Sequence, residues 1–443
     1  MQSPKAMITK KILSIAVLIC CLLNVSAQNY TQLTLAKNAP VIAKNFAYAD
    51  SLSCYYSFDL AEKAYNDVLQ KFPNDKYIKY YVDLSLLDIY IRNREIEKAS
   101  TQIEKINSNR SIDSVYIDEL HIKAKYHLAK GNYDTSEYYY EKIKPIYESD
   151  RIDKLLYGSF LIDYGLFKYS ARTDIKKSLK IFLDAQDIWL TEQDDLSHIK
   201  LFHIYFNLSR IYLKRNEESL LKLYADKADK IANELENTLP LLKLMIDFIK
   251  AEYYVQIEQD EKSCQIMKDQ LIFGIKNNID EFYFDYTYNN ISDYALNADQ
   301  IDTAYYYNQI LLKRLEKLSN SSISYKRLAP VAIRRQAICL ERLNRPIEAE
   351  KYYLKAIKLN AENYGMNSRR YGQSLKYYSI FLRNQNRFDE AIRYVDSSIV
   401  VYNERWLKND DESHLLGLML CQQEKGMTSV SYTHLTLPTK PSG

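Results

Sequence analysis

The stretch "RRQAICLERLNRPIEAEKYYLKAIKLN" (334–360) decides the fold of this chain, because "YYSIFLRNQNRFDEAIRYVDSSIVVYN" (377–403) follows the same scheme. Small residues of the two stretches correspond at an offset of 42 residues: Ala337 with Ser379, and Ala349 with Ala391. Between the paired small residues lies a polar break, "RLNRP" in one stretch and "RNQNR" in the other. The pattern predicts a repeated unit of two helices joined by a tight turn.

The same frame extends over most of the chain. The small residue of the second helix falls at nine positions, 37 to 45 residues apart: Ala61, Ala99, Ser136, Ser178, Leu221, Ser263, Ala304, Ala349 and Ala391. A small residue of the first helix accompanies most of them: Ala49, Ala124, Ser209, Ala251, Ser292, Ala337 and Ser379. Two closely packed helices need small side chains where their backbones cross. We therefore expect about nine stacked hairpins over residues 42–405. Bulky residues are expected beside the crossings: Tyr65, Tyr140, Phe182 and Tyr353.

Length and composition agree with an extended helical array. A chain of 443 residues exceeds what one compact core usually supports. Nine glycines and nine prolines are far fewer than the ~12% of an average chain, so helices should dominate. Lys and Arg total 60 against 57 Asp and Glu. Because this near balance provides no broad basic field, we expect a protein or peptide partner rather than nucleic acid.

The repeat resembles the tetratricopeptide repeat (TPR) family. "AEKAYNDVLQKFPND" (61–75) carries the family's small residue, its tyrosine and a closing proline, and "AKYHLAKGNYDTSEYYYEKI" (124–143) carries Gly131 and Tyr133 at the inter-helix turn. The resemblance covers about residues 42–405, and units longer than the family's usual length imply longer helices or loops. It implies an all-α, right-handed superhelical solenoid with a long concave groove that binds a protein or peptide.

The N-terminus has the order of a secretory signal peptide. The apolar run "ILSIAVLICCLLNVSA" follows two lysines and ends in small residues at 25–27. We expect cleavage before Gln28, a lead-in over 28–41 and export to the periplasm or cell envelope. A lipoprotein anchor at Cys20 or Cys21 is the alternative, although Ile19 is not the small residue that such signals place before the cysteine.

No residues with the spacing of a catalytic, cofactor-binding or metal-binding site occur in the sequence. HExxH, phosphate-loop, GxGxxG and GxSxG motifs are absent, and His121 and His127 are six residues apart, which does not suit two metal ligands on one helix face. The tyrosine triplets at 138–140 and 305–307 are expected to belong mainly to the repeat core. The remaining cysteines are expected to be buried apolar residues, with a long-range disulfide as the alternative: Cys54, Cys264, Cys339 and Cys421.

If the array binds a partner, the first helix of each hairpin should supply the contacts. The relevant face is the one turned away from the small crossing residues. The frame places six candidate partner-binding residues on that face: Tyr286, Asn289, Arg334, Glu341, Lys376 and Arg383. The Lys and Asn cluster by which some TPR domains hold a peptide's terminal carboxylate is not reproduced.

The last stretch, "VSYTHLTLPTKPSG" (430–443), differs from the rest of the chain. Its first ten residues resemble a reading-frame translation of a sequencing-library adapter, and we expect it neither to continue a helical period nor to cap the last repeat. Residues 406–429 would then begin a lost C-terminal region. A genuine disordered terminus is the alternative.

Three functional hypotheses follow. The first is a non-enzymatic TPR scaffold of the bacterial envelope that binds a protein or peptide. The second is the extracytoplasmic sensor of a truncated membrane regulator. The third is the targeting domain of a truncated caspase-like peptidase, because "AENYGMNSRRYGQSLKYYSIFLRNQNRFDEAIRYV" (361–395) resembles the longer TPR variant found ahead of such enzymes. The sequence does not indicate an oligomeric state.

Overall fold

The chain forms helices throughout the part that the structure describes. The computed structural model describes residues 46–436 except 47, 51, 54–56, 109–115, 150–152, 172–174, 193, 280, 319–322 and 410–411. The chain divides into two compact units, residues 1–253 and residues 254–443. The expected signal peptide, the lead-in, Cys54 and residues 437–443 lie outside the described residues. No β-strand occurs in the described ranges, so the predicted all-α class is confirmed.

The N-terminal unit begins with helical residues between 46 and 53 and continues as a series of helices. These are α1 (Phe58–Lys71), α2 (Lys76–Arg92), α3 (Ile96–Ser108), α4 (Tyr116–Lys130), α5 (Tyr133–Tyr147), α6 (Lys154–Ser170), α7 (Ile175–Trp189), α8 (Asp195–Lys214), α9 (Glu218–Glu234) and α10 (Pro240–Gln256), whose last turn crosses the boundary. The pairs α2–α3, α4–α5, α6–α7 and α8–α9 pack as hairpins.

The C-terminal unit has the same design. Its helices are α11 (Asp260–Lys276), α12 (Phe284–Asn297), α13 (Ile301–Leu315), α14 (Ile323–Arg342), α15 (Pro346–Tyr364), α16 (Arg369–Asn384), α17 (Phe388–Asn409) and α18 (Glu412–Thr436), with a 3₁₀ turn at Glu281–Tyr283. The pairs α12–α13, α14–α15 and α16–α17 form hairpins, and α18 packs on α17 and α16. Each unit is thus a stack of TPR-like hairpins.

The helix crossings lie where the small residues predicted them. All nine second-helix positions and all seven first-helix positions named above are buried, including the larger Leu221. The aromatic residues expected beside the crossings are buried as well: Tyr65, Tyr140, Phe182 and Tyr353. This arrangement lets each hairpin cover the apolar stripe of its neighbour.

Serine replaces alanine at several crossings and forms a hydrogen bond there. The Ser136 hydroxyl donates to the Ala124 carbonyl at 2.8 Å, and the Ser292 hydroxyl donates to the Ala304 carbonyl at 2.8 Å. The Ser178 hydroxyl donates to the Gly165 carbonyl, also at 2.8 Å. Gly165 is therefore the small first-helix residue of the fourth hairpin, which the sequence frame left unassigned. These bonds satisfy a polar group that a tightly packed crossing would otherwise bury unpaired.

Most turns within the hairpins use one backbone geometry. A residue with positive φ follows the first helix: Arg94, Gly131, Asn216, Glu258, Asp299, Asn344 and Asn386. The next amide then donates back to a carbonyl of the helix's last turn, as Gln259 does to Tyr254 at 2.8 Å and Arg345 to Leu340 at 2.8 Å. This is the Schellman arrangement, which favours glycine, yet only Gly131 supplies one in these seven turns.

The last described helix differs from the expectation for the C-terminus. Helix α18 runs from residue 412 to 436, so residues 430–436 continue a helix instead of breaking it. The segment contains no helix breaker before Pro438. Among the α18 side chains that the structure describes, those of Cys421, Glu424 and Thr428 are buried. The adapter-derived origin of 430–443 stays a prediction.

Candidate binding face

The first helices of the C-terminal unit form one polar face, which we call the first-helix face, on α12, α14 and α16. Side chains link these helices at about the repeat distance. The Arg335 guanidinium on α14 donates to Asp293 on α12 at 2.6 and 3.2 Å. Asn384 on α16 donates to Glu341 on α14 at 2.8 Å. Because these contacts join successive repeats, the side chains on this face are held in fixed positions.

Arg334 is the most unusual group on the first-helix face. Its guanidinium lies 4.5 Å from the ring centroid of Tyr377, and its Nε is buried without a hydrogen-bond partner. Among the described residues no carboxylate forms an ion pair with it. Burial lowers its pKa, and the neighbouring Arg335 charge acts in the same direction. A cation in this setting favours an added anion.

Lys376 approaches the same aromatic ring. Its ammonium lies 5.3 Å from the ring centroid of Tyr377, and within the described part of the chain it forms no ion pair either. Arg334 and Lys376, both predicted from the sequence, are thus brought together through Tyr377, which was not predicted. Each contact has the geometry of a cation–π interaction.

Glu341 supplies an opposite charge on the same helix. Its carboxylate accepts hydrogen bonds from the Tyr353 hydroxyl at 2.7 Å and from the Asn384 amide at 2.8 Å. Both donors are neutral, and no cation among the described residues pairs with it. Arg334 and Glu341 are seven residues apart on α14, which corresponds to a rise of about 10 Å. The first-helix face therefore has a cationic end and an anionic end.

The other three predicted residues are occupied by structural contacts. Arg383 pairs with Glu424 at 2.7 Å, and Glu424 is only 2% exposed. Asn289 accepts from Arg335 at 3.2 Å, and Tyr286 packs on the apolar cluster that contains Leu328. The structure therefore places these three on the same series of helices without leaving a charged group unpaired.

Sequence reasoning missed several residues of the first-helix face. Tyr377, Asn384 and Arg335 are not among the six residues that the repeat frame predicts. A detectable signal existed, because Arg335 lies 42 residues after Asp293 and Asn384 lies 43 residues after Glu341. A search for complementary polar residues one repeat apart would have found both pairs.

The N-terminal unit has its own polar network on first helices, which the sequence did not reveal. Lys125 on α4 pairs with Asp88 on α2 and lies 3.7 Å from Asp163 on α6. His121 Nε2 also lies 3.2 Å from Asp163. Burial opposes the charge on Asp163, but Lys125 and His121 outweigh it, so its pKa is lowered. Burial and nearby cations lower the pKa of His203 to about 3.

Three cysteines lie within the described residues. Cys264, Cys339 and Cys421 are buried free thiols, and burial raises the pKa of each, that of Cys339 to about 11. Thiols in this state are poor nucleophiles. No group of three or more potential metal-ligating side chains occurs within the described ranges. A membrane crossing would need a longer or more apolar helix than any in the part that the structure describes.

The fold and the first-helix face define a TPR-like helical-repeat protein with an unpaired bipolar surface. No protein-family profile matches the chain, and no curated protein matches its sequence. Among solved structures it is similar to the apo form of RapI, with TM-score 0.52 and 15% identity over 80% of this chain and 98% of that chain. It is also similar to a Rap protein complexed with Competence and Sporulation Factor, with TM-score 0.50 and 13% identity over 79% and 99% of the two chains. At such identities the likeness shows the fold alone.

Proposed function

We propose that this protein is a non-enzymatic scaffold that binds a peptide or an extended protein segment along the first-helix face. The observation that carries the proposal is the unpaired Arg334, stacked on Tyr377. A partly buried cation without a counter-ion is costly unless a ligand supplies one. Rigid, polar and aromatic side chains on a regular scaffold are suited to binding with little ordering cost.

The similar structures support a ligand-binding role. One Rap protein of this fold was solved in complex with the Competence and Sporulation Factor. By analogy, the repeat array here holds a ligand without performing chemistry on it. The buried cysteines with raised pKa values support a non-enzymatic role. The sensor and peptidase-targeting hypotheses would use the same face within a larger protein.

We further propose that the protein is exported to the bacterial envelope. The basis is the signal-like order of residues 1–27, which lie outside the described residues. Mass spectrometry of the protein recovered from cell fractions tests this. A mass that begins at Gln28 in the envelope fraction supports export, and an intact N-terminus in the cytoplasmic fraction contradicts it.

Site-specific photo-crosslinking tests the binding role of the first-helix face. A photoreactive amino acid replaces Lys376 in one variant of the full chain and Ile272 in a control variant. Ile272 suits the control because it is 64% exposed and lies on α11, a second helix. We expect the variant with the photoreactive residue at position 376 to form a covalent adduct with one discrete bound peptide. The variant with the photoreactive residue at position 272 should form no such adduct. Equal labelling at both positions, or none at 376, would contradict the proposed function.

A further inference from the structure

Two charges near the middle and end of α14, those of Arg334 and Glu341, lack an ion-pair partner among the described residues. We use them to define what the first-helix face can recognise, and this inference rests on the proposed function. Other charged groups nearby are already paired: Arg335 with Asp293, Arg383 with Glu424, and Arg342 with Asp299. Beside these pairs, the Arg334–Tyr377–Lys376 cluster and the Glu341 carboxylate have no ion-pair partner among the described residues and are available to a ligand.

We propose that the first-helix face binds an extended peptide that carries one acidic and one basic side chain about three residues apart. The acidic side chain pairs with Arg334 and Lys376 beside the Tyr377 ring, and the basic side chain pairs with Glu341. The spacing follows from geometry. Seven helical residues rise about 10 Å, and an extended chain covers about 3.3 Å per residue.

The anionic end separates this ligand class from two others. A nucleic acid would bring phosphates against Glu341 as well as toward Arg334, and like charges at a binding surface are repulsive. A peptide bound only through its terminal carboxylate would leave the charge of Glu341 unused. We therefore assign the acidic group to a side chain within the peptide.

The cationic and anionic ends of the first-helix face are held rigidly. This rigidity lets the face select peptides by the separation of their two charged side chains. Glu341 is fixed by its bonds from Tyr353 and Asn384, and Arg334 is held over a ring on the neighbouring helix. Since neither end can follow a ligand far, a peptide with the wrong separation satisfies only one charge. Charged pairs at interfaces contribute specificity mainly in this way.

Fluorescence anisotropy with synthetic peptides tests the inference on the full chain. The peptides are acetylated, amidated and labelled, with one Glu and one Lys separated by one, three or six positions in an uncharged background, in both orders. We expect the three-residue spacing to bind at least about tenfold more tightly than the others in one of the two orders. A free-carboxylate version should gain nothing. Equal binding at all spacings, a requirement for the free carboxylate, or no binding at all would overturn the inference.

Variants on α14 test which charged residue of the first-helix face pairs with which charged side chain of the peptide. Glu341→Gln keeps the shape, since its amide oxygen can accept from Asn384 and its amide NH2 can donate to the Tyr353 hydroxyl. It should therefore fold and should lose preference for the basic side chain. Arg334→Gln should lose preference for the acidic one. Arg342→Gln is the matched control, because this arginine lies on the same helix but already pairs with Asp299. It should leave affinity unchanged, and a loss equal to that of Arg334→Gln would count against the site.

A charge exchange gives the decisive readout. The triple variant Arg334→Glu, Lys376→Gln and Glu341→Arg reverses the charge at both ends and should bind the peptide in the opposite order of Glu and Lys. A merely structural role for these residues would not reverse the order, so an unchanged preference in the folded triple variant overturns the inference. Photo-crosslinking at position 376 tests the proposed function separately: that variant lacks the Lys376 ammonium but keeps Arg334 and Glu341, and it reports contact with the first-helix face whatever the spacing of the charges on the ligand.

Discussion

Gly158 on α6 lies directly against the indole of Trp189 on α7. A Cβ on Gly158 would lie 2.8 Å from the indole Nε1 and 2.9 Å from Ile188. We predict that Gly158→Ala lowers the free energy of unfolding by about 1–3 kcal/mol, because a buried indole cannot move aside without disturbing the core. Gly426→Ala is the control, since nothing lies within 4 Å of a Cβ there. Chemical denaturation should show the second variant to be as stable as the parent or up to ~1 kcal/mol more stable.

The second prediction concerns the turn between α10 and α11. Glu258 has φ 57°, which strains a side chain that has a Cβ, whereas glycine adopts this conformation freely. We predict that Glu258→Gly increases the free energy of unfolding by about 0.5–1 kcal/mol. The gain comes from relief of the backbone strain, and it is reduced because glycine gives the unfolded chain more conformational freedom. Gly131→Ala, at φ 79° in the corresponding turn, should do the reverse. Thermal unfolding of both variants checks the signs, and a loss of stability on Glu258→Gly would contradict the argument.

The third prediction concerns Ser178, which donates to the Gly165 carbonyl across the crossing of α6 and α7. Ser178→Ala removes one neutral hydrogen bond but keeps the volume small, so it should cost at most ~1 kcal/mol. Ser178→Val should cost more, about 1–3 kcal/mol, because the added methyl groups press the helices apart. Urea denaturation separates the two. Equal losses would mean that the hydroxyl, rather than the volume, matters at the crossing.

The fourth prediction concerns pH. In the unfolded chain His203 binds a proton below about pH 6.5, but in the native state only below about pH 3. Between these values the unfolded state binds more protons, so stability falls as the pH falls, by at most ~1.4 kcal/mol per pH unit from this residue. Above pH 6.5 the residue contributes no pH dependence.

His203→Asn should therefore flatten the decline of stability between pH 6.5 and pH 4. The pKa of His127 is also lowered by burial, so part of the slope should remain, and His127→Asn is the matched comparison. Unfolding free energies at half-unit pH steps provide the measurement. A slope that His203→Asn leaves unchanged would show that this side chain is protonated normally in the native state.

The sequence predicted the hairpins because each helix crossing requires small residues, and these recur at a regular interval along the chain. A crossing such as that of Ala337 with Ala349 tolerates only small residues, and the repeat reproduces the requirement about every 42 residues. The same frame identified the orientation of α14, and so placed Arg334 and Glu341 together on the first-helix face. These features depend on local spacing, which a single chain displays.

Contacts between repeats were harder to predict. Whether Arg383 faces a ligand or pairs with Glu424 depends on α18, which lies beyond the repeat frame of residues 42–405. Likewise, the pairing of Lys125 with Asp88 and Asp163 depends on how far each helix is rotated and displaced relative to the next. Sequence spacing alone does not determine these rotations, so it does not predict the polar networks.

The last prediction tests the structural role of Arg383. Glu424 is buried, accepts from the Arg383 guanidinium at 2.7 Å and receives a further hydrogen bond from Thr428 at 3.2 Å. Arg383→Met would leave a buried carboxylate without its cation, a loss at the low end of ~3–5 kcal/mol because the arginine is partly exposed. Adding Glu424→Gln should recover most of this stability, since a neutral amide needs no counter-ion. If Arg383 instead served ligand binding, Arg383→Met would weaken peptide affinity in the anisotropy assay while the unfolding midpoint stayed near that of the parent.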